Sequence, residues 1–216
     1  MELFSDIEQA EIDRILTCSK AVKKKLSAGE TVFRQGEKPQ MIFILQEGEL
    51  ALVKDFASGK RNLLYTVKPG EVFGEAFLFS GQIRYWYDAL AMKESSVLAI
   101  PWRFFYGFCE NACGHHRMIT RNLLDILAGR NFSMTKKLHL LSSTSLKEKL
   151  AIFFLENADR EGCVKLNMNR ENLADFLGVA RPSLSRELMN MQKEGLIEVG
   201  KDEVHIRDRE ALEYFY

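Results

Sequence analysis

Between Arg181 and Lys193 the chain reads RPSLSRELMNMQK, and its polar members suit one kind of chemistry. Arg181 and Arg186 carry planar guanidinium forks that match guanine acceptors or paired phosphate oxygens. Ser183, Ser185 and Asn190 are short hydrogen-bonding groups, and Lys193 is a compact cation on a long stem. At about 100° per residue, Leu184, Leu188 and Met191 share one side of a helix. Arg186, Met189 and Lys193 face the other way, with Ser183, Ser185 and Asn190 on the flanks. An aliphatic seam backed by Arg and short polar groups suits a helix that reads a groove, so double-stranded DNA is the expected partner.

The flanking residues supply what must position such a helix. Leu173, Phe176 and Leu177 repeat at three to four residues and predict a preceding amphipathic helix. Gly178 permits a sharp turn, Val179 drops back into the core, and Pro182 fits the first turn of the second helix. Gly195 supplies the stop. Leu196–Val199 and Glu203–Ile206 around Gly200-Lys201-Asp202 predict a hairpin, with Val164, Leu166 and Met168 alternating as a third short strand. Together these predict a winged helix-turn-helix.

Composition bounds the rest. The chain has 216 residues, 46% of them hydrophobic and 28% charged, with zero formal net charge, as in an ordinary globular protein. Residues 111–216 hold 16 Lys/Arg against 15 Asp/Glu, so any DNA affinity must come from locally placed bases rather than bulk charge. The opening MELFSDIEQAEIDRIL is acidic and amphipathic, unlike a signal peptide, and no apolar run is long enough to span a bilayer. Cys18, Cys109, Cys113 and Cys163 form no disulfide framework, which predicts a cytoplasmic location with no membrane partner.

Leu3–Leu16 predicts an opening helix. From Val22 to Ile100 the texture is short strands punctuated by Gly29, Gly36, Gly48, Gly59, Gly70, Gly74 and Gly81, as in an antiparallel sandwich or roll. Met41–Leu45, Leu50–Lys54 and Leu63–Val67 are its clearest strands. A Pro-free stretch from Gly114 to Leu141 predicts one long helix, in which Leu127, Met134 and Leu141 recur every seven residues. Gly129, Asn131 and Ser133 interrupt that seam. Ser145 and Glu148 form a capping box that opens a new helix. The fold class is thus α+β: an effector-binding β-roll over 1–110, a long dimerisation helix and hinge over 111–142, and a winged helix-turn-helix over 143–216.

This arrangement resembles the CRP/FNR family of bacterial transcription regulators over essentially the whole chain. The resemblance rests on LFSDIEQAEIDRIL at 3–16, AGETVFRQGE at 28–37, IFILQEGEL at 42–50, KPGEVFGEAFLF at 68–79 and ENLADFLGVARPSLSRELMNMQKEGLIEV near the end. It implies a homodimer paired through the long helix, a roughly palindromic operator, and a small-molecule effector in the roll that reorients the recognition helices. It implies RNA polymerase as a further partner, with activation and repression left open. Arg181, Ser185 and Arg186 occupy the family's base- and phosphate-contacting positions. Pro182 stands where several members carry a base-reading Glu, so their operators do not transfer.

The effector positions implied by the family match only in part. Gly74-Glu75 agrees with the pair that binds a cyclic nucleotide's ribose and phosphate. Arg84 is followed by Tyr85, and the downstream Ala89-x-Ala91 aligns Tyr85 with the phosphate-binding Arg. On the long helix the corresponding stretch is Met134-Thr135, with one hydroxyl where two are expected. A cyclic nucleotide is therefore disfavoured, because a buried phosphate needs cation and donors together. Tyr85-Trp86-Tyr87 either packs the roll or lines a pocket for an uncharged planar ligand.

Cys109, Cys113, His115 and His116 could ligate zinc or haem iron, or form a helix entry with incidental thiols. Haem or redox sensing is the alternative input on the same fold. An iron–sulfur cluster is not expected, since Cys18 alone lies near the N-terminus, where the family's clusters sit. His139 is expected at the surface or the dimer seam. A cupin-type enzyme is the remote alternative on a roll of this kind, but its ligand set is His-rich and residues 1–110 contain no histidine.

Overall fold

The computed structural model describes residues 2–106 and 114–215. The expectations for Cys109 and Cys113 fall outside them. The chain divides into two compact units, Met1–Gly129 and Arg130–Tyr216.

The first unit opens with a 3₁₀ turn at Glu2–Phe4 and helix α1, Gln9–Ser19. Strands β1 (Val22–Leu26), β2 (Thr31–Phe33), β3 (Met41–Glu47), β4 (Leu50–Asp55), β5 (Arg61–Val67) and β6 (Val72–Phe73) follow. Helix α2 (Glu75–Phe79), strands β7 (Asp88–Ala91) and β8 (Ser95–Pro101) and the short helix α3 (Arg103–Tyr106) lead to α4, Gly114–Ser142. The strands form two four-stranded sheets, β1-β8-β3-β6 and β2-β7-β4-β5, antiparallel throughout. The expected roll is present.

The opening helix differs from expectation. Asp6 adopts a left-handed φ of 58°, which ends one turn and forces a fresh start at Gln9. The break lets Leu3, Phe4 and Ile7 reach the same buried cluster as Ile15. A strict helical period over Leu3–Leu16 overlooks this, because one non-glycine residue in the left-handed region leaves no sequence mark.

Strand β3 shows why its apolar run is continuous. Phe43 and Leu45 join the cluster between the sheets, while Ile42 and Ile44 pack on the other face with Ile15, Ile119 and Leu123 from the helices. Both faces are covered, so period-two alternation is lost. At the sheet's edge, β1 leaves Lys23, Lys24 and Lys25 exposed, a charge pattern that discourages pairing with another chain.

The second unit holds the end of α4, helix α5 (Leu146–Asn157), strand β9 (Cys163–Lys165), helices α6 (Arg170–Leu177) and α7 (Arg181–Lys193), strands β10 (Ile197–Val199) and β11 (Glu203–Ile206), and helix α8 (Arg209–Glu213). Its sheet runs β10-β11-β9. Ser145 accepts from the Glu148 N–H while the Glu148 carboxylate receives the Ser145 N–H, the full capping box. Phe154, Leu150, Leu173, Leu177, Leu184 and Met191 are completely buried in one cluster. Burying each such side chain contributes about 1.5–3 kcal/mol.

Candidate nucleic-acid interface and effector site

Helix α7 is fixed from beneath and left open above. Leu184, Leu188 and Met191 are its buried residues, the three that the helical period predicts. Arg181, Ser183, Ser185, Arg186 and Lys193 are exposed and Asn190 is half-buried. No salt bridge among the described residues engages Arg181, Arg186 or Lys193, whereas nearby Arg207 pairs with Glu198, Arg209 with Glu213, and Lys147 with Glu194. Three cations are thus held on one surface without internal neutralisation.

The turn that aims α7 is built by Gly178, whose φ of 69° is left-handed. Val179 then donates to the Ala174 carbonyl at 2.9 Å and packs against the unit's core. At the other end of α6, Asn169 caps the helix by accepting from the Asn172 N–H at 2.8 Å. Lys149 donates to the carbonyl of Leu177 at 3.3 Å, placing a cation at the C-terminus of α6 where the dipole favours it. Ala180, the N-cap of α7, has no side-chain acceptor.

One residue on this surface escaped the sequence reading. Arg170, in the first turn of α6, lines a cleft of about 270 Å³ with Ser185, Leu188, Met189, Gln192 and Val199. Its Nη1 is buried without a hydrogen-bond partner, and burial pulls its pKa below the usual value. Only helix pairing brings it beside Ser185, so spacing along α7 could not find it. The wing strands pair in register, Ile197 with Ile206 and Val199 with Val204.

Two of the effector positions, Glu75 and Tyr85, are interior to the roll. Gly74, with φ 83°, caps α2, and a Cβ there would meet the Phe43 ring at 3.0 Å. Glu75 is only 5% exposed. Tyr85 is buried and stacks on Phe33 with ring centroids 3.8 Å apart, while its edge meets Phe77 at 4.9 Å. Phe43 and Phe73 continue the cluster at 5.3 Å. Burial holds the Tyr85 phenol well above its usual range. Arg84 is exposed and donates to the Gly36 carbonyl at 2.7 Å. Met134 and Thr135 belong to the second unit; Met134 is 72% exposed, and the Thr135 hydroxyl donates to Asn131 on its own helix. Tyr85 and half-buried Tyr87 pack with the interior rings, and Trp86 is exposed with Lys54 over its face.

Along α4 an apolar stripe stays uncovered. Leu124 is 61% exposed and Leu138 69% exposed. With Asn131 between them they repeat every seven residues, parallel to Leu127, Met134 and Leu141. Ile119 and Leu123 on the neighbouring face are buried in the first unit's core.

Residues 23–112 match the cyclic nucleotide-binding domain family and residues 148–215 the Crp-like helix-turn-helix domain family. The chain is 27% identical over 215 residues to a cyclic AMP receptor protein of Thermus thermophilus, covering 98% of this chain and 94% of that one. It is 30% identical over 187 residues to the transcriptional activatory protein AadR of Rhodopseudomonas palustris, covering 83% and 74%. Its fold is similar to the crystal structure of Thermus thermophilus catabolite activator protein, with TM-score 0.56 at 23% identity over 100% of this chain and 98% of the other. These relatives are regulators rather than enzymes, and no helix among the described residues is long and apolar enough to cross a membrane. Open helix α7, its wing and the roll agree with the matches: the chain belongs to the CRP/FNR family of transcription regulators, with a helix-turn-helix DNA-binding domain.

Proposed function

We propose that the protein acts in the cytoplasm as a homodimer that reads a roughly palindromic operator with two copies of α7, one per half-site. The observation that carries this is the exposed, unneutralised set Arg181, Arg186 and Lys193 above a fully buried seam. Arg186 makes the bidentate contact to guanine, and Ser183 or Ser185 bonds phosphate. Arg181, Asn190 and Lys193 complete the surface. Arg170, half-buried at the cleft it lines with Ser185, adds a further cation to this surface. The α4 stripe pairs with its twin: Leu124, Leu127, Met134, Leu138 and Leu141 at heptad spacing make an apolar seam, interrupted by Gly129, Asn131 and Ser133, that suits a helix packing along another helix.

The input to this switch works by favouring one arrangement of the dimer over another. That input is not a cyclic nucleotide in the roll. Tyr85 stands where the family's phosphate-binding Arg would be, and its stack on Phe33 fills the space with rings. A buried phosphate without a cation is costly.

A gel-shift competition tests the DNA reading. Arg186→Ala lowers discrimination between the selected operator and single-guanine variants by about 1–3 kcal/mol, while its melting temperature stays at the wild-type value. Full discrimination in the mutant removes Arg186 from base reading.

A further inference from the structure

We propose that Cys18, His115 and His116 form a seat for a thiophilic divalent cation, Zn²⁺ by its ligand chemistry, between α1 and the start of α4. Each of the three offers a ligand atom, and these atoms lie within 4.8 Å of one another. His115 is only 6% exposed, yet its Nε2 is buried with no hydrogen-bond partner among the described residues, and so is Nδ1 of His116. A buried imidazole nitrogen without a partner costs free energy unless something occupies its lone pair.

Glu11 decides which nitrogen is available. Its Oε2 lies 2.9 Å from Nδ1 of His115, and an ionised carboxylate only accepts, so Nδ1 carries the proton. Nε2, buried and without a partner among the described residues, is then the nitrogen with a lone pair to offer a cation. A carboxylate on the far nitrogen of a metal-binding histidine orients the ring and raises its basicity. Phe104 packs on His116 with centroids 4.1 Å apart, which holds that ring in place.

The wing offers an instructive contrast. Cys163, Glu203 and His205 also lie close together. There, however, Glu203 bonds His205 at 3.1 Å and receives the Cys163 thiol at 3.6 Å. That group satisfies itself, whereas between α1 and α4 Nε2 of His115 and Nδ1 of His116 have no partner among the described residues.

One thiolate and two imidazoles suit zinc, which takes Zn–S near 2.3 Å and Zn–N near 2.0–2.1 Å. Tetrahedral donors at those lengths stand roughly 3.5 Å apart, so small side-chain rotations close the set. Binding deprotonates Cys18, the proton leaves to solvent, and a water completes the coordination. Cys109 and Cys113 are not counted in the set. The proposal is independent of how α7 meets DNA.

The test is a Co²⁺ titration of the full chain, reduced and stripped of metal, followed by absorption. One equivalent should produce tetrahedral bands with a thiolate charge-transfer band. Cys18→Ser, at an exposed position, should abolish the charge-transfer band, and Cys18→Ala should do the same. The double variant Cys109→Ser with Cys113→Ser should retain it. In competition with a chromophoric chelator, Glu11→Gln should weaken Zn²⁺ binding about tenfold or more while far-ultraviolet circular dichroism stays unchanged. A folded wild-type protein without the thiolate band overturns the proposal. So does a band that survives both Cys18 variants or disappears in the double variant. Unchanged affinity in Glu11→Gln overturns the orienting role of that carboxylate.

Discussion

On α7, Arg186 and Lys193 face solvent with no ion pair among the described residues, while in the roll Glu75 is buried and Tyr85 packs among aromatic rings. Both regions match family domains, the cyclic nucleotide-binding domain and the Crp-like helix-turn-helix domain. They differ in what faces solvent. The winged helix carries an exposed polar surface along α7, whereas in the roll Tyr85 stacks on Phe33 inside a cluster of rings. The glycines and packing residues that make a roll are not the groups that bind a ligand, so a matched fold does not by itself carry ligand chemistry.

The sharpest way to break the comparison is at the backbone the roll depends on. In the turn between β3 and β4, Gly48 has φ 98°, and a Cβ there would lie 2.2 Å from Ser95 Oγ and 2.6 Å from the Glu94 carbonyl. Gly48→Ala should cost about 4 kcal/mol or more, seen as loss of cooperative unfolding in urea. A midpoint near wild type would mean that this turn is not tightly constrained.

Next in size is the ring stack itself. Tyr85→Ala removes a buried aromatic and should cost about 3 kcal/mol, measured by chemical denaturation. In the wild type, cyclic AMP should leave the melting temperature unchanged at millimolar concentration. A saturable rise would show that the rings part to admit a nucleotide.

The smallest effect sharpens the other half. Ser145→Ala removes the cap of α5 and should cost about 1 kcal/mol. The Glu148 carboxyl is held below its ordinary pKa first by the Ser145 backbone N–H and then by the Thr144 hydroxyl. A depressed folded value means its contribution is complete above the ordinary carboxylate range and is lost as pH falls through the folded value. Hydrogen exchange in the first turn of α5 should accelerate over that acidic window, and Glu148→Gln should flatten the dependence. Identical pH profiles would deny the carboxylate this role.

The sequence made the winged helix legible because each signal there is local. Gly178, Pro182 and the Leu184-Leu188-Met191 seam lie within one short stretch and act on neighbours. The capping box at Ser145 and the extent of α4 were readable for the same reason. The roll was legible as a class through its glycines and strand texture. Long-range pairings were not: Tyr85 meeting Phe33, Arg170 beside Ser185, and Cys18 beside His115 all depend on topology that spacing cannot reveal. The Cys18 thiol that α1 brings within 4.8 Å of His115 and His116 lies far from them in sequence, so no spacing pointed to it.

The central claim is that α7 reads base edges twice, through a symmetric pair. Selection of binding sites from a random DNA library, with stoichiometry measured by sedimentation on the selected duplex, tests it most directly. The account predicts an inverted repeat with half-site centres about 10–11 base pairs apart, bound by two chains. A single asymmetric site bound by one chain, or no enrichment of any sequence, would contradict it.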